Sequence, residues 1–190
     1  MASHSELLAY TLCSILCICS LQTSVTAIEV MEPAAVNLTY YLHEVRGGPG
    51  TNGTLWAAAG TGSASNNVST SGVGWGTFFV FDSPLREGQT ENATLLGKST
   101  GTATVTTKGG IPDGGVMIYC QHIFNNATIY NKSSIMVGGQ VDFTNVPPWE
   151  AIVFGGTGYF RGWRGYGLAE LMTSSDAPLI VYKWSIFISK

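Results

Sequence analysis

The side chain best suited to chemistry in this sequence is Glu44, near the end of a segment that alternates like a β-strand. Residues 36–45 read VNLTYYLHEV, and the alternation places Tyr40 and Glu44 on one face and Asn37 on the other. Asn37 begins a glycosylation sequon, so its face should point outward and Glu44 inward. A carboxyl group on an inward apolar face loses hydration, and its pKa should rise. A rim glutamate with a structural role fits the same pattern equally well.

Two other reactive side chains, Cys120 and His122, lie in the apolar segment 116–124 (VMIYCQHIF). A cysteine in such a segment is more often a small buried side chain than a nucleophile. His122 has no second histidine at ligand spacing, so a packed or interfacial histidine and no metal site are predicted. We also predict no nucleophile–base pair, no nucleotide-binding loop and no cofactor.

A run of glycines and aromatic residues at 153–167 (VFGGTGYFRGWRGYG) needs its own explanation. A phosphate-binding loop is disfavoured, because GGTG lacks the GxGxxG spacing and no helical pattern follows. Glycine within strands marks bends, bulges or close backbone approach. The run is therefore predicted to bend or closely pack a β-wall, with Arg161 and Arg164 as structural or rim residues.

These candidates must be positioned by β-structure, because no segment after residue 27 shows the 3.6-residue period of a helix. Strands are predicted at 36–45, 54–62, 77–81, 95–107, 116–124, 128–130, 133–137, 168–173 and 179–188. A turn capped by Asp82 should end the third strand, and 138–148 should be an irregular loop holding Asp142 and Trp149. Since several strands are apolar on both faces, we predict an all-β fold, a closed barrel partly covered by another subunit.

Residues 1–27 are predicted to be a secretory signal peptide. Residues 7–21 (LLAYTLCSILCICSL) form an apolar run too short for a comfortable membrane span, and Val25 and Ala27 are the small residues that precede cleavage. Cleavage after Ala27 leaves one β-barrel domain, residues 28–190, whose single cysteine is Cys120. We therefore expect a secreted protein without an internal disulfide.

The net charge and the glycosylation sequons also bear on the partners and the location of the protein. The formal net charge is −3 and there is no basic cluster, so nucleic acid is not an expected partner. Nothing after the signal peptide is long enough to span a membrane. Six asparagines fit the N-x-[ST] pattern, and at least half of them are predicted to carry glycans: Asn37, Asn52, Asn67, Asn92, Asn126 and Asn131.

Four motifs, in order along nearly the whole chain after residue 27, resemble those of plant dirigent proteins. They are YYLHE at 40–44, FFVFDSPL at 78–85, LLGKSTG at 95–101, and VFGGTGYFR at 153–161 with RGY at 164–166. The resemblance implies an eight-stranded antiparallel β-barrel, secreted to the apoplast (cell wall) and glycosylated. It also implies a homo-oligomer, a trimer with a dimer as the alternative, that needs no cofactor. The related allene oxide cyclases share this barrel.

The resemblance further implies a function. Dirigent proteins steer the regio- and stereochemistry of phenoxy-radical coupling, as in lignan formation from monolignols, while a separate oxidase or laccase makes the radicals. The protein has no redox activity of its own, and its contribution is orientation, with an acid that protonates a quinone methide to promote ring closure. By this resemblance the catalytic acids are Glu44, which replaces the family's aspartate, and Asp142. The substrate-binding residues are Tyr40, Tyr119, Trp149 and Phe154.

Two other functions stay open at this point. A cofactor-free cyclase or dehydratase of the same barrel family would convert a quinone-methide or epoxide precursor without an oxidant. A non-catalytic cell-wall or carbohydrate-binding protein would stack sugars on Trp56, Trp75 and Trp149. Departures from lignan-forming members keep both open, because Trp149 replaces their pocket arginine and Ala103 and Val105 replace their tyrosines.

Overall fold

Strands make up almost all of the regular structure. A computed structural model describes residues 35–47, 52–59, 73–125, 129–173 and 178–190. These ranges contain nine strands: β1 (Ala35–Val45), β2 (Leu55–Ala59), β3 (Phe78–Arg86), β4 (Leu95–Val105), β5 (Gly115–Phe124), β6 (Ser133–Asp142), β7 (Trp149–Thr157), β8 (Arg164–Leu171) and β9 (Leu179–Ser189). Their only helical residues form two 3-10 turns, Ile111–Asp113 and Gly158–Phe160. None of the described helices is long and apolar enough to cross a membrane. The predicted signal peptide lies outside the described residues.

Eight of the strands close into an antiparallel barrel. Each strand from β3 to β9 pairs with the next one along the chain, β9 pairs with β1, and β1 closes on β3 where Leu42 faces Leu85. The short strand β2 pairs with residues 78–81, the part of β3 that β1 does not reach. The predicted fold class, an eight-stranded antiparallel β-barrel, is confirmed.

The barrel is packed at one end and hollow at the other. Successive side chains of a strand point to opposite faces, so every second one points inward. At the packed end, inward side chains from several strands form one almost fully buried cluster that includes Tyr40, Phe124, Ile135, Phe160 and Ile186. Towards the other end the same strands carry side chains that leave a cavity between them.

The glycine-rich run at 153–167 packs the barrel wall, as predicted. A register shift next to Gly155 marks a β-bulge in the β6–β7 ladder. A Cβ atom at Gly156 would lie 2.2 Å from the carbonyl oxygen of Ser134 and 2.7 Å from the Cβ atom of Phe160. Glycine is therefore required where β7, β6 and the turn that carries the buried Phe160 ring meet.

The predicted end of the third strand is wrong. β3 continues through residues 82–84 to Arg86, and Asp82 pairs with Lys98 at 2.9 Å instead of capping a turn. Pro84 is tolerated because it lies between the β2 and β1 pairings of β3, an edge-like position of the kind that proline occupies in sheets.

The predicted loop at 138–148 is half strand. β6 runs from Ser133 to Asp142, and Gly138, one of the glycines that suggested a break, is a point of close packing. A Cβ atom at Gly138 would lie 3.0 Å from the ring of Phe154. The predicted strand at 128–130 is also wrong, because the described residues 129–132 form a turn before β6.

Candidate functional site

The hollow end of the barrel is an apolar pocket with a volume of about 570 Å³. This volume is typical of small-molecule sites, which range over roughly 300–1,000 Å³. Aromatic side chains form much of its wall: Phe79, Phe81, Phe143, Trp149, Tyr182 and Trp184. Such a wall suits a ligand with aromatic rings, because flat rings pack well against one another.

Four titratable side chains among the described residues line the pocket: Glu44, Arg46, Cys120 and Tyr182. Glu44 and Arg46 are two residues apart at the end of β1, so both point inward. Tyr182 on β9 faces Leu42 of β1, which places it diagonally beside Glu44. Three polar groups therefore meet on adjacent strands.

Glu44 is half-buried in this apolar setting. Burial raises its pKa from the ordinary value of 4.5 to about 7, and the guanidinium of Arg46 opposes part of this rise. The carboxyl group is thus protonated in mildly acidic solution and can donate a proton to a bound ligand. Burial, and then the nearby Glu44, also raise the pKa of the Tyr182 phenol, which stays protonated as a hydrogen-bond donor.

Behind the pocket lies a buried chain of three side chains. The hydroxyl of Tyr40 lies 2.5 Å from Nδ1 of His122, and Nε2 of His122 lies 3.5 Å from Sγ of Cys120. Burial lowers the pKa of His122 to about 3 and raises that of Cys120 to about 12, so both are neutral. Cys120 and His122 are thus in contact as neutral, buried side chains. Across the described residues, no cluster of three or more His, Cys, Asp or Glu residues could hold a metal.

Asp142 lies outside the pocket. Its carboxylate accepts hydrogen bonds from the backbone N–H of Thr144 at 2.9 Å, the Thr144 hydroxyl at 2.6 Å and the Asn145 amide at 3.0 Å. The bonds from Thr144 lower the pKa of Asp142. The structure therefore places Asp142 at the end of β6, where it stabilises the β6–β7 turn, and does not bring it together with Glu44.

Of the four predicted substrate-binding residues, Trp149 alone lines the pocket. Tyr40 lies deeper, in the packed end of the barrel. Tyr119 and Phe154 lie on the outer wall, 54% and 45% exposed, with ring centroids 5.9 Å apart. Their positions follow from alternation, because Cys120 next to Tyr119 points inward.

The predicted sugar-stacking tryptophans and sequon asparagines differ in their exposure. Trp56 and Trp75 are exposed, whereas Trp149 is only 9% exposed and cannot stack on a sugar at the surface. Four of the sequon asparagines have exposed side chains: Asn37, Asn52, Asn92 and Asn131. Asn67 and Asn126 lie outside the described residues.

Sequence reasoning missed Arg46 and Tyr182. Arg46 was within reach of the alternation that placed Glu44, because it is two residues further along the chain, directly after β1. Tyr182 was not, because its place beside Glu44 depends on the register between β1 and β9, which are the first and last strands of the barrel.

We predict that the folded protein loses stability as the pH rises from about 4.5 to 7. The pKa of Glu44 is higher folded (about 7) than ordinary (4.5), so the folded state holds this proton more tightly, and stability falls with pH. The full shift corresponds to about 3 kcal/mol, and water at the half-buried group should reduce this to about 1–2 kcal/mol. Urea unfolding of wild type and Glu44→Gln at pH 5 and pH 8 measures this contribution. The prediction is contradicted if the difference in the free energy of unfolding between the two proteins is the same at both pH values.

Fold and site together define a small closed β-barrel with an apolar pocket that is lined by a carboxyl group with a raised pKa. Residues 35–188 match the family model of the dirigent-like proteins. The chain belongs to this dirigent-like protein family.

Its relatives agree with this assignment. The chain is 30% identical to Dirigent protein 1 of Arabidopsis thaliana, with 99% of each chain covered. It is 27% identical to Pterocarpan synthase 1 of Glycyrrhiza echinata, with 87% of this chain and 83% of that one covered. A solved pterocarpan synthase dirigent protein has the same fold, with a TM-score of 0.70 at 24% identity over 84% of this chain and 86% of the other.

Proposed function

We propose that this protein binds a phenolic substrate in the barrel pocket and directs a stereoselective, redox-neutral ring closure, with Glu44 as the acid. One observation carries the proposal: a carboxyl group with a pKa of about 7 lines a pocket whose walls are mainly apolar and aromatic. The walls hold the rings in one pose, and the acid is protonated near the pH at which it must act.

The chemistry fits a substrate with a benzylic hydroxyl conjugated to a phenol. Glu44 donates its proton to the benzylic oxygen, the carbon–oxygen bond breaks, and water leaves. The phenol loses its proton to solvent and becomes the carbonyl of a quinone methide. A second phenol oxygen of the substrate then bonds to the exocyclic carbon and its proton returns to the Glu44 carboxylate, while the quinone oxygen takes up a proton from solvent and becomes a phenol again. The net change is loss of water, so no oxidant or reductant is needed.

Tyr182 and Arg46 take supporting roles in this proposal. The protonated phenol of Tyr182 donates a hydrogen bond to the oxygen on which charge develops. Arg46 stabilises the Glu44 carboxylate that forms after proton transfer, because its guanidinium already favours that form. Stereoselectivity comes from the walls, which restrict the face of the exocyclic carbon that the second oxygen can reach.

The names of the relatives support ring closure as the first candidate. Two of the curated relatives, at 27% identity, are named pterocarpan synthase, which points to ring-forming synthesis of a phenolic compound. The test is conversion of a racemic ortho-hydroxybenzylic alcohol that bears a second phenol, without oxidant, followed by chiral chromatography. Faster, enantioselective ring closure supports the proposal. If the reaction is no faster than without protein and the product is racemic, the proposal is contradicted.

Phenoxy-radical coupling is the second candidate, since a pocket of about 570 Å³ with six aromatic wall residues has room for more than one ring. In this version a separate oxidase or laccase supplies monolignol-type radicals for lignan synthesis, and the pocket fixes their relative pose. Coniferyl alcohol with a one-electron oxidant tests it. An optically active dimer only when the protein is present favours coupling, and a racemate excludes it.

We also propose that the protein is secreted to the apoplast as a glycoprotein. Exposure of the four described sequon asparagines supports this, because glycan transfer needs an accessible side chain. Treating the plant-expressed protein with a glycosidase should lower its mass.

We further propose that copies of this chain associate as a trimer through the outer wall of the barrel. One row of side chains crosses β5 to β9: Tyr119, Gly138, Ile152, Tyr166 and Phe187. Tyr119, Ile152 and Tyr166 are 54%, 53% and 42% exposed, and adjacent exposed apolar side chains mark interaction surfaces.

Ile152→Glu should therefore convert an oligomer to a monomer, because it places a charge at the centre of this row. Light scattering measures the mass. Val146→Glu is the matched control, since Val146 is 86% exposed but lies in the β6–β7 turn, outside the row. A monomeric wild type, or dissociation by both variants, would contradict this interface.

A further inference from the structure

We propose that Cys120 is a covalent capture site for neutral, soft carbon electrophiles conjugated to an aromatic ring, such as quinone methides and aryl enones, that enter the barrel pocket. The inference goes beyond the ring-closure proposal, because it needs a ligand to enter the pocket but does not need turnover by Glu44.

The position of Cys120 in the fold is the first argument. Val116 and Ile118 precede it on β5 and line the pocket wall, whereas His122 follows in the fully buried core. Cys120 is thus the last pocket-lining residue of its strand, at the floor. Its cross-strand neighbour is Gly101, where a Cβ atom would lie 2.6 Å from the Cβ atom of Cys120. No side chain of Gly101 therefore covers the thiol.

The buried partners of Cys120 supply a hydrogen-bond acceptor for its thiol. In the tautomer with its proton on Nδ1, His122 donates to the Tyr40 oxygen at 2.5 Å and leaves Nε2 as the acceptor of the thiol proton at 3.5 Å. Tyr40 is 1% exposed and His122 is 0% exposed, and the ring of Trp184 packs edge-on against His122. The imidazole is therefore held in a fixed orientation towards the sulfur.

A fourth polar group is in place for the charge that develops. Ser99 lies opposite His122 on β4 and is fully buried. Its hydroxyl is near enough to Cys120 to oppose part of the rise in the thiol pKa, yet it meets no ordinary hydrogen-bond geometry with any described residue. This hydroxyl can therefore donate to the sulfur when the thiol loses its proton.

The step is a conjugate addition that needs no co-reactant. The sulfur–carbon bond forms at the exocyclic or β carbon while the thiol proton leaves, and the carbon–carbon π bond breaks. Its electron pair shifts onto the conjugated oxygen, and the thiol proton ends on that oxygen, which gives a phenol, or on the α carbon, which gives a saturated ketone. The adduct therefore has the mass of the protein plus the whole electrophile.

Burial makes this site selective. Cys120 and His122 are both neutral at rest, because burial raises the pKa of the thiol and lowers that of the imidazole. The thiol is consequently a poor target for charged reagents in solution. An aromatic electrophile that binds in the apolar pocket lies beside the thiol for far longer, so proximity replaces thiolate character as the source of its rate.

Benzylideneacetone, a neutral aryl enone, is the probe. We expect peptide mapping to locate one whole-probe adduct at Cys120 of the folded protein and none in Cys120→Ser. Its rate should saturate with probe concentration and fall at least tenfold with excess 4-phenylbutan-2-one, the saturated analogue. Iodoacetate should label Cys120 of the folded protein at least tenfold more slowly than in urea.

Two outcomes would overturn the proposal: no adduct at Cys120 of the folded protein, or labelling that the saturated analogue does not slow. His122→Asn should slow labelling at least tenfold. If this variant does not fold, the competition experiment on the wild type decides alone. Because the readout is an adduct and not a cyclised product, the capture site and the ring-closure function fail independently.

Discussion

Glu44→Gln should lower the rate of ring closure by roughly 10²-fold or more, with little change in substrate affinity. Glutamine keeps the shape of the side chain but has no proton to donate to the leaving oxygen. The wild-type rate should be constant at low pH and fall above pH 7, where Glu44 ionises, because its pKa is about 7. The variant should lose this dependence. Single-turnover rates between pH 5 and 9 measure both effects.

Glu150→Gln is the matched control, because Glu150 is an exposed residue of β7 outside the pocket. It should retain the wild-type rate and pH profile. Glu44→Asp should keep part of the activity, since it restores the acid at a position one methylene shorter. Full activity of Glu44→Gln on a substrate that the wild type cyclises would remove Glu44 from the mechanism and leave orientation as the whole contribution of the pocket.

Gly156→Ala should destabilise the fold by about 3 kcal/mol, at the upper end of overpacking effects. The added methyl group would lie 2.2 Å from the carbonyl oxygen of Ser134, and backbone cannot move aside as a flexible side chain can. It would also press on Phe160, which is fully buried in the packed end. Thermal unfolding should show a melting temperature lower by roughly 10 °C.

Gly88→Ala provides the comparison. A Cβ atom at Gly88 would lie 3.2 Å from the Cβ atom of Ala93, a side-chain contact in the β3–β4 turn, so we expect a change below about 1 kcal/mol. Equal effects of the two substitutions would mean that Gly156 is not a point of obligatory close packing.

The fold was predictable because local patterns in the sequence indicate the strands of the barrel. Alternation along 36–45, the absence of a helical period and the glycine run at 153–167 each follow from a strand's own geometry. The predicted strand boundaries were wrong where the end of a strand depends on contacts with neighbouring strands and side chains. Pro84 and Gly138 look like breakers, yet one lies in an edge-like stretch of β3 and the other makes room for Phe154.

The site was predictable along one strand but not across strands. Alternation from Asn37 was enough to place Glu44 in the interior. Asp142 could not be placed in this way, because its role depends on local hydrogen bonds to Thr144 and Asn145 in a turn. The contacts of Cys120 with His122 and Tyr40 combine neighbours on β5 with a residue eighty-two positions away, and periodicity carries no information at that distance.

A barrel that is solid at one end and hollow at the other gives its residues different evolutionary freedom. Substitutions around Phe160 or Ile135 endanger folding, because they open voids in close-packed surroundings. Substitutions at wall positions such as Ala103 or Ala169 reshape the pocket, and effects at well-separated sites are close to additive. One scaffold can therefore acquire new ligands by small steps at one end while selection preserves the other.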